Sequence, residues 1–277
     1  MKRFAQTLCV WLLAGSAAAS EVSVTATAPN GAVDQIPAML LKPSGDGPFP
    51  AVVILHDCSG LGPRSSGAPA RWAQELLKHG YVVIFADSFG TRGFRDGVCR
   101  DASPGRTDVG PLRRAHDAYA ALAYLRTLPY VDGRRVGVMG GSHGGSTTLA
   151  AMARADSGFT AAVALYPACA PWLRNLGGYK PDAPLLILIG EKDDWTPAEP
   201  CRRLAESAQK AGHPLAIKIY PGAHHSFDSS NPVRYVAERI NMNSPTKRGA
   251  TTGGDPAAWA DSIREVLAFF GRHLAPR

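Results

Sequence analysis

Val136-Gly137-Val138-Met139, a β-type run, passes through Gly140-Gly141-Ser142-His143-Gly144-Gly145 into small residues with helical spacing. This junction constrains the fold more than any other feature of the chain. A Gly-x-Ser-x-Gly turn between strand and helix holds its serine in a strained backbone conformation, and glycines two positions either side let neighbouring backbone pass without a Cβ clash. The strain aims the hydroxyl at the open end of a sheet, which makes Ser142 a candidate nucleophile. A phosphate-cradling loop would continue into Gly-Lys-Ser/Thr, and this turn does not.

The surrounding pattern supplies the sheet. Ala51–His56, Tyr81–Asp87, Arg135–Gly140, Ala161–Pro167, Leu185–Gly190 and Ala216–Tyr220 read as buried strands, preceded by an antiparallel pair, Val22–Ala28 and Ala38–Lys42. Helical patterns fall between and after them, over Arg71–His79, Pro111–Leu128, Gly145–Arg154, Ala198–Ala211 and Pro256–His273. Alternation of this kind predicts an α/β fold with a mostly parallel sheet and helices packed on it. Gly80 suits a left-handed cap after the first helix, and Pro111 suits the first turn of the second. Ser229–Asp255 is polar and rich in Gly, Thr and Asn, so it reads as a long surface excursion. No repeat or linker divides the chain.

The first twenty residues stand apart. Lys2 and Arg3 precede an apolar stretch, Leu8–Ala14, and the small-residue run Ala17-Ala18-Ala19-Ser20. That order predicts a secretory signal cleaved after Ala19, with residues 20–277 as a single domain. Its apolar part is much shorter than the roughly 20 residues a membrane span needs, and no Cys follows it to carry a lipid. The expectation is a periplasmic or secreted protein without a stable membrane anchor. Net charge is +7, falling by two to +5 without Lys2 and Arg3, and no dense Lys/Arg run marks a nucleic-acid footprint. Hydrophobic residues at 45% and charged residues at 19% exclude a disordered or coiled-coil chain.

Export also changes the reading of the cysteines. Cys9 leaves with the leader, and Cys58, Cys99, Cys169 and Cys201 enter an oxidising compartment, where an even count favours two disulfides. Free buried thiols are the alternative; zinc is disfavoured because no pair has C-x-x-C spacing. Counting leaves three connectivities open.

A serine hydroxyl needs a base, and the base needs an acid, in the chain order Ser, Asp/Glu, His. After Leu185–Ile189 comes Gly190-Glu191-Lys192-Asp193-Asp194-Trp195-Thr196-Pro197, which sets carboxylates at a strand end. Asp193 is the favoured acid and Asp194 its competitor, one of the two being free to cap the next helix. Ile219-Tyr220-Pro221-Gly222-Ala223-His224-His225-Ser226-Phe227 then offers two candidate bases, His224 and His225. The backbone N–H of His143, after the nucleophile, and that of Cys58, in the turn after Val52–Leu55, are candidate oxyanion donors. Arg92 could clamp a substrate carboxylate, against the plainer expectation that it pairs with a loop acid such as Asp87 or Asp96. Trp172 and Trp195 lie on strand-end loops suited to line a pocket, whereas Trp72 on a helix suits the core.

Taken together, Val52-Val53-Ile54-Leu55-His56-Asp57-Cys58-Ser59-Gly60, Asp87-Ser88-Phe89 with Arg92-Gly93, Gly140–Gly145, Gly190-x-x-Asp193-x-x-x-Pro197 and His225-x-Phe227 resemble the dienelactone hydrolase family of α/β hydrolases over about residues 30–275. The resemblance implies a three-layer α/β-hydrolase sandwich with helices on both faces of the sheet, a Ser/Cys-His-Asp triad and no cofactor or metal. Mapped onto this chain, it implies Ser142 as nucleophile, Asp193 as acid and His225, two before Phe227, as base. It also implies Cys169 paired with Cys201, leaving Cys58 for Cys99. Members that cleave dienelactone carry Cys at the turn; Ser142 departs from that and points to a general carboxylesterase. A reactive thiolate would be lost to oxidation outside the cell, while a serine survives.

The function expected is therefore an exported serine hydrolase cleaving small-molecule or polymer carboxylic esters through an acyl-enzyme. An amidase or peptidase of the same fold is the alternative within enzymes, and a catalytically idle binding protein the alternative outside them.

Overall fold

A computed structural model describes residues 17–28, 30–175 and 177–276. Leader positions 1–16 lie outside the described residues. β1 (Ala18–Thr27) and β2 (Val33–Lys42) pair antiparallel from Ala18 with Lys42 to Thr27 with Val33, so cleavage after Ala19 would leave Ser20–Thr27 paired.

Eight strands form the main sheet. β3 (Phe49–Leu55), β4 (Val82–Ala86), β5 (Val131–Gly141), β6 (Ala161–Leu165), β7 (Leu185–Gly190) and β8 (Leu215–Tyr220) join the opening pair in the order β1-β2-β4-β3-β5-β6-β7-β8. β2 pairs antiparallel with β4, and every later pairing is parallel. β6 and β7 are buried along their whole length, as expected of strands covered on both faces.

Helix placement follows from crossover handedness. From β3 the chain crosses one way to β4 through α1 (Ala68–Lys78), then back past β3 to β5 through α2 (Pro111–Arg126). Right-handed crossovers in opposite directions put α1 and α2 on opposite faces. α3 (His143–Met152) and α4 (Ala198–Lys210) continue in the direction of α2 and share its face. α5 (Pro256–His273) joins α1, with Trp72 edge-on to Trp259 at 4.7 Å. The reversal beside β3 leaves a crevice at the carboxyl ends of β3 and β5, where open α/β sheets bind ligands.

One expectation is corrected. Ser229–Asp255 is not merely an irregular excursion: β9 (Arg234–Ile240) and β10 (Arg248–Thr252) form a bulged antiparallel hairpin. Mostly exposed side chains on β9 hid it: the ribbon stands outside the main sheet, buries only a few small or branched side chains such as Val236 and Ala250, and touches the rest of the fold at points such as a bridge from Thr252 to His225.

Candidate active site

The Gly140–Gly145 turn is built as its glycines require. Ser142 has φ 55° and ψ −114°, and its N–H donates to Leu165 O at 2.9 Å. A Cβ on Gly144 would lie 1.9 Å from Leu55 O, and one on Gly140 would lie 2.6 Å from both Leu55 O and Gly144 C. Strand β3 and helix α3 therefore approach as closely as backbone allows, which fixes Ser142 relative to the loop after β3.

Three side chains from three loops converge there. Ser142 Oγ is 2.9 Å from His225 Nε2, and His225 Nδ1 is 2.8 Å from Asp193 Oδ2. All three residues are buried. A neutral ring in this chain donates from Nδ1 to the carboxylate and accepts at Nε2 from the serine hydroxyl. Asp193 Oδ1 also accepts from the N–H groups of Trp195 (3.0 Å) and Thr196 (2.8 Å), and Thr196 Oγ1 lies 3.0 Å from Oδ2. Tyr166 and Trp195 pack against the imidazole, each with its ring centroid at 4.7 Å.

The competitors go elsewhere. Asp194 accepts from the N–H and hydroxyl of Thr251, both at 2.8 Å, and so anchors the β9–β10 hairpin. His224 Nδ1 faces Lys192 O at 3.1 Å, away from Ser142. Arg92 corrects a sequence-based expectation: it does not line the cleft. Its guanidinium is fixed by Asp117 at 2.7 and 2.8 Å and by Asp34 at 2.7 and 2.9 Å. Neither Asp87 nor Asp96 is the partner; Asp87 accepts from the Phe89 and Gly90 N–H groups, and Asp96 faces Arg64.

Ser142 and His143 open onto a cleft of about 530 Å³ that Cys58, Trp172 and Trp195 also line. Val98, Leu112, Ile240 and Met242 make its walls strongly apolar, with Arg106, Ser146, Asn175, Thr196 and Asn243 as polar exceptions beyond Ser142 and His143. No Asp or Glu lines it among the described residues. The Cys58–Cys99 disulfide forms part of the wall, while Cys169–Cys201 is buried in the core beside Pro167. Asp57 approaches Cys58 and Cys99 closely enough to suggest a metal cluster, but both sulfurs are consumed by the disulfide.

Several participants carried no local signal. The hairpin reaches the cleft because Trp195 Nε1 donates to Ile240 O at 2.7 Å and Asn243 Nδ2 to Trp195 O at 2.8 Å. Asp228, buried three residues after His225, accepts from Tyr166 Oη (2.7 Å) and Trp72 Nε1 (2.8 Å), and burial raises its pKa. Tyr166, at φ 38°, thereby stays pressed against both His225 and the turn at Gly141. Fully buried Arg114 of α2 donates to His143 Nδ1 (2.7 Å) and His56 O (2.9 Å). Burial, with Arg114 second, pushes the pKa values of His56 and His143 well below the usual histidine range.

A mostly parallel eight-stranded sheet with its elbow at a strand-to-helix turn defines an α/β hydrolase fold. The family model for the dienelactone hydrolase family matches residues 36–274, and the chain belongs to that family. Among relatives, the Methylorubrum extorquens protein named "Putative carboxymethylenebutenolidase" is 26% identical over 213 residues, covering 73% of this chain and 72% of its own. An uncharacterized peptidase of Bacillus subtilis is 25% identical over 203 residues, 62% of this chain, and the alignment spans only 30% of that longer protein. In fold, the chain superposes on a Klebsiella pneumoniae structure described as a "Putative Dienelactone Hydrolase" with TM-score 0.67 at 20% identity, covering 92% of this chain and 99% of that one.

Proposed function

We propose that this protein is an exported serine hydrolase that cleaves carboxylic esters bearing an apolar group, with Ser142, His225 and Asp193 as its triad. The observation that carries the reading is the continuous Ser142–His225–Asp193 hydrogen-bond chain opening on an apolar cleft. His225 takes the Ser142 proton as Oγ attacks the ester carbonyl, and Asp193 holds the imidazole tautomer and stabilises the imidazolium. The N–H groups of His143 and Cys58 receive the oxyanion. His225 then returns the proton to the departing alcohol, and water repeats the sequence on the acyl-enzyme.

Trp172 and Trp195 are assigned to the cleft wall, where they take the apolar part of the ester. Relatives with peptidase names make amide hydrolysis the second reading. The lack of any carboxylate lining the cleft among the described residues favours esters over peptides with a free N-terminal ammonium, which would need a counter-charge there. Two disulfides and the leader pattern of residues 1–19 support export to the periplasm or beyond.

The test is hydrolysis of p-nitrophenyl esters of increasing acyl length, beside aminoacyl p-nitroanilides, by the mature protein and by Ser142→Ala. Ester turnover that disappears in the variant supports the proposal. Anilide turnover exceeding ester turnover would move the peptidase reading to the front, and no turnover of either would favour a binding protein.

A further inference from the structure

We propose that Arg114 is a positioning residue for acyl transfer: its guanidinium ties together the two loops that carry the oxyanion donors and sets a positive charge behind them. The inference rests on the serine hydrolase reading above, and it assigns a role that the triad chemistry does not require.

The geometry is a two-point clamp. Nη1 donates to the ring of His143, whose own N–H is one donor, and Nη2 donates to His56 O, two residues before Cys58, the other donor. These loops follow different strands, β5 and β3, and no other side chain hydrogen-bonds to both the His143 ring and His56 O among the described residues. The Phe89 ring lies under the guanidinium at 4.8 Å and packs edge-on against His56 at 4.5 Å and His143 at 5.6 Å, so all three contacts share one aromatic support. His56 is held in turn by Asp57 O at Nδ1 and the Ser88 N–H at Nε2. Separation between two N–H groups determines how well they fit a tetrahedral oxyanion, and here one planar side chain sets it.

The charge is the second argument. Arg114 is fully buried, Nε has no partner, and no carboxylate lies within ion-pair distance among the described residues. Asp117, Asp57 and Asp87 favour its charge from beyond contact distance, but a buried cation with no carboxylate in contact remains costly. Burial lowers its pKa only to about 10, so it remains charged at neutral pH. An anion close to the guanidinium forms only transiently, during acyl transfer, when the carbonyl oxygen becomes negative between His143 and Cys58. Such a cation stabilises the transition state more than the bound ester, and therefore acts on kcat and not on KM.

Arg114→Met and Arg114→Lys, compared with wild type on a short p-nitrophenyl ester and a trifluoromethyl ketone of the same acyl chain, provide the test. Arg114→Met is expected to lower kcat on the order of 10²-fold with KM little changed. Affinity for the ketone, whose serine adduct carries the oxyanion, should fall in parallel, while inhibition by the isosteric ether stays the same. Arg114→Lys, keeping charge without the two-point clamp, should fall between. Wild-type activity with both variants within threefold of it overturns the positioning role alone. A shared loss in KM and ether affinity also overturns it, since that reports a collapsed cleft. If Arg114→Met does not fold, Arg114→Lys decides by the same criteria. A wild type that neither hydrolyses esters nor captures the ketone at Ser142 overturns the hydrolase reading and this proposal with it.

Discussion

Arg92, mostly buried, and Arg114, fully buried, lie near the same end of the sheet, and their surroundings differ in one respect that separates structure from chemistry. Arg92 joins the turn after β4 to β2 and α2 through Asp34 and Asp117, and its charge is met by two carboxylates. Arg113 adds to that network, contacting Asp34 and lying 3.6 Å from Asp117. Arg114, next in sequence, points the other way and meets only neutral acceptors and an aromatic face. A compensated buried charge specifies how elements dock. One helped only by carboxylates beyond contact, as Arg114 is by Asp117, Asp57 and Asp87, costs stability and points to a function that brings an anion near it.

The largest expected effect underwrites the comparison. Ser142→Ala should reduce ester kcat by about 10⁴-fold or more, since removing a nucleophile abolishes the covalent route. Residual turnover near wild type would mean that the activity measured does not belong to this site.

Arg92→Met comes next, and its effect should fall on stability. It leaves Asp117 buried with one distant partner, so urea unfolding should show a loss of about 3–5 kcal/mol. Activity per folded molecule should stay within about threefold. A kcat deficit matching that of Arg114→Met would erase the distinction between the two arginines.

A pH series sharpens it further. His56 and His143 have folded pKa values depressed below about 6.5, first by burial and then by Arg114. Their contribution to stability is present above pH 6.5 and is lost as pH falls, because the unfolded chain binds protons that the folded one refuses. Each can cost at most about 1.4 kcal/mol per pH unit in that window. Thermal midpoints should therefore drop between pH 7 and 5, less so in Arg114→Met and nearly unchanged in slope in Arg92→Met. Asp228 acts with the opposite sign: its raised pKa favours folding at low pH and loses that contribution as pH rises. Repeating the series in Asp228→Asn removes this opposing slope.

Asp194→Asn should do least. Its bonds to Thr251 hold the hairpin and not the imidazole, so stability should fall by about 1 kcal/mol with kcat within about threefold. Loss of activity comparable to Ser142→Ala would transfer the acid role from Asp193 to Asp194.

Much of this architecture was legible because local signals agreed with one another. The apolar runs marking β3 to β8 are nearly continuous, and the strand-turn-helix glycines admit few other conformations. Chain order placed Asp193 and His225 at strand ends that parallel pairing then brings together. The β9–β10 hairpin was hard to see because its apolar residues, Tyr235, Val236, Ile240 and Ala250, follow no regular alternation, and its importance comes from contacts made 45 to 48 residues away in sequence, Trp195 with Ile240 and Asn243. That Arg92 pairs with acids was expected, but not with which ones, because its partners Asp34 and Asp117 lie 58 and 25 residues away in sequence.

Arg113 and Arg114 show most plainly what each level determines. In the sequence they are two consecutive cations in the first turns of a helix, alike in every local property. Sequence alone determined that a parallel sheet would form, that Ser142 would sit strained at its edge, and that an acid and a histidine would follow in order, because periodicity and glycine sterics act over a few residues. Only the tertiary structure decided that one arginine would meet carboxylates and its neighbour none. Successive helical positions point about 100° apart, and the surroundings each encounters are contributed by strands and loops that only folding brings near.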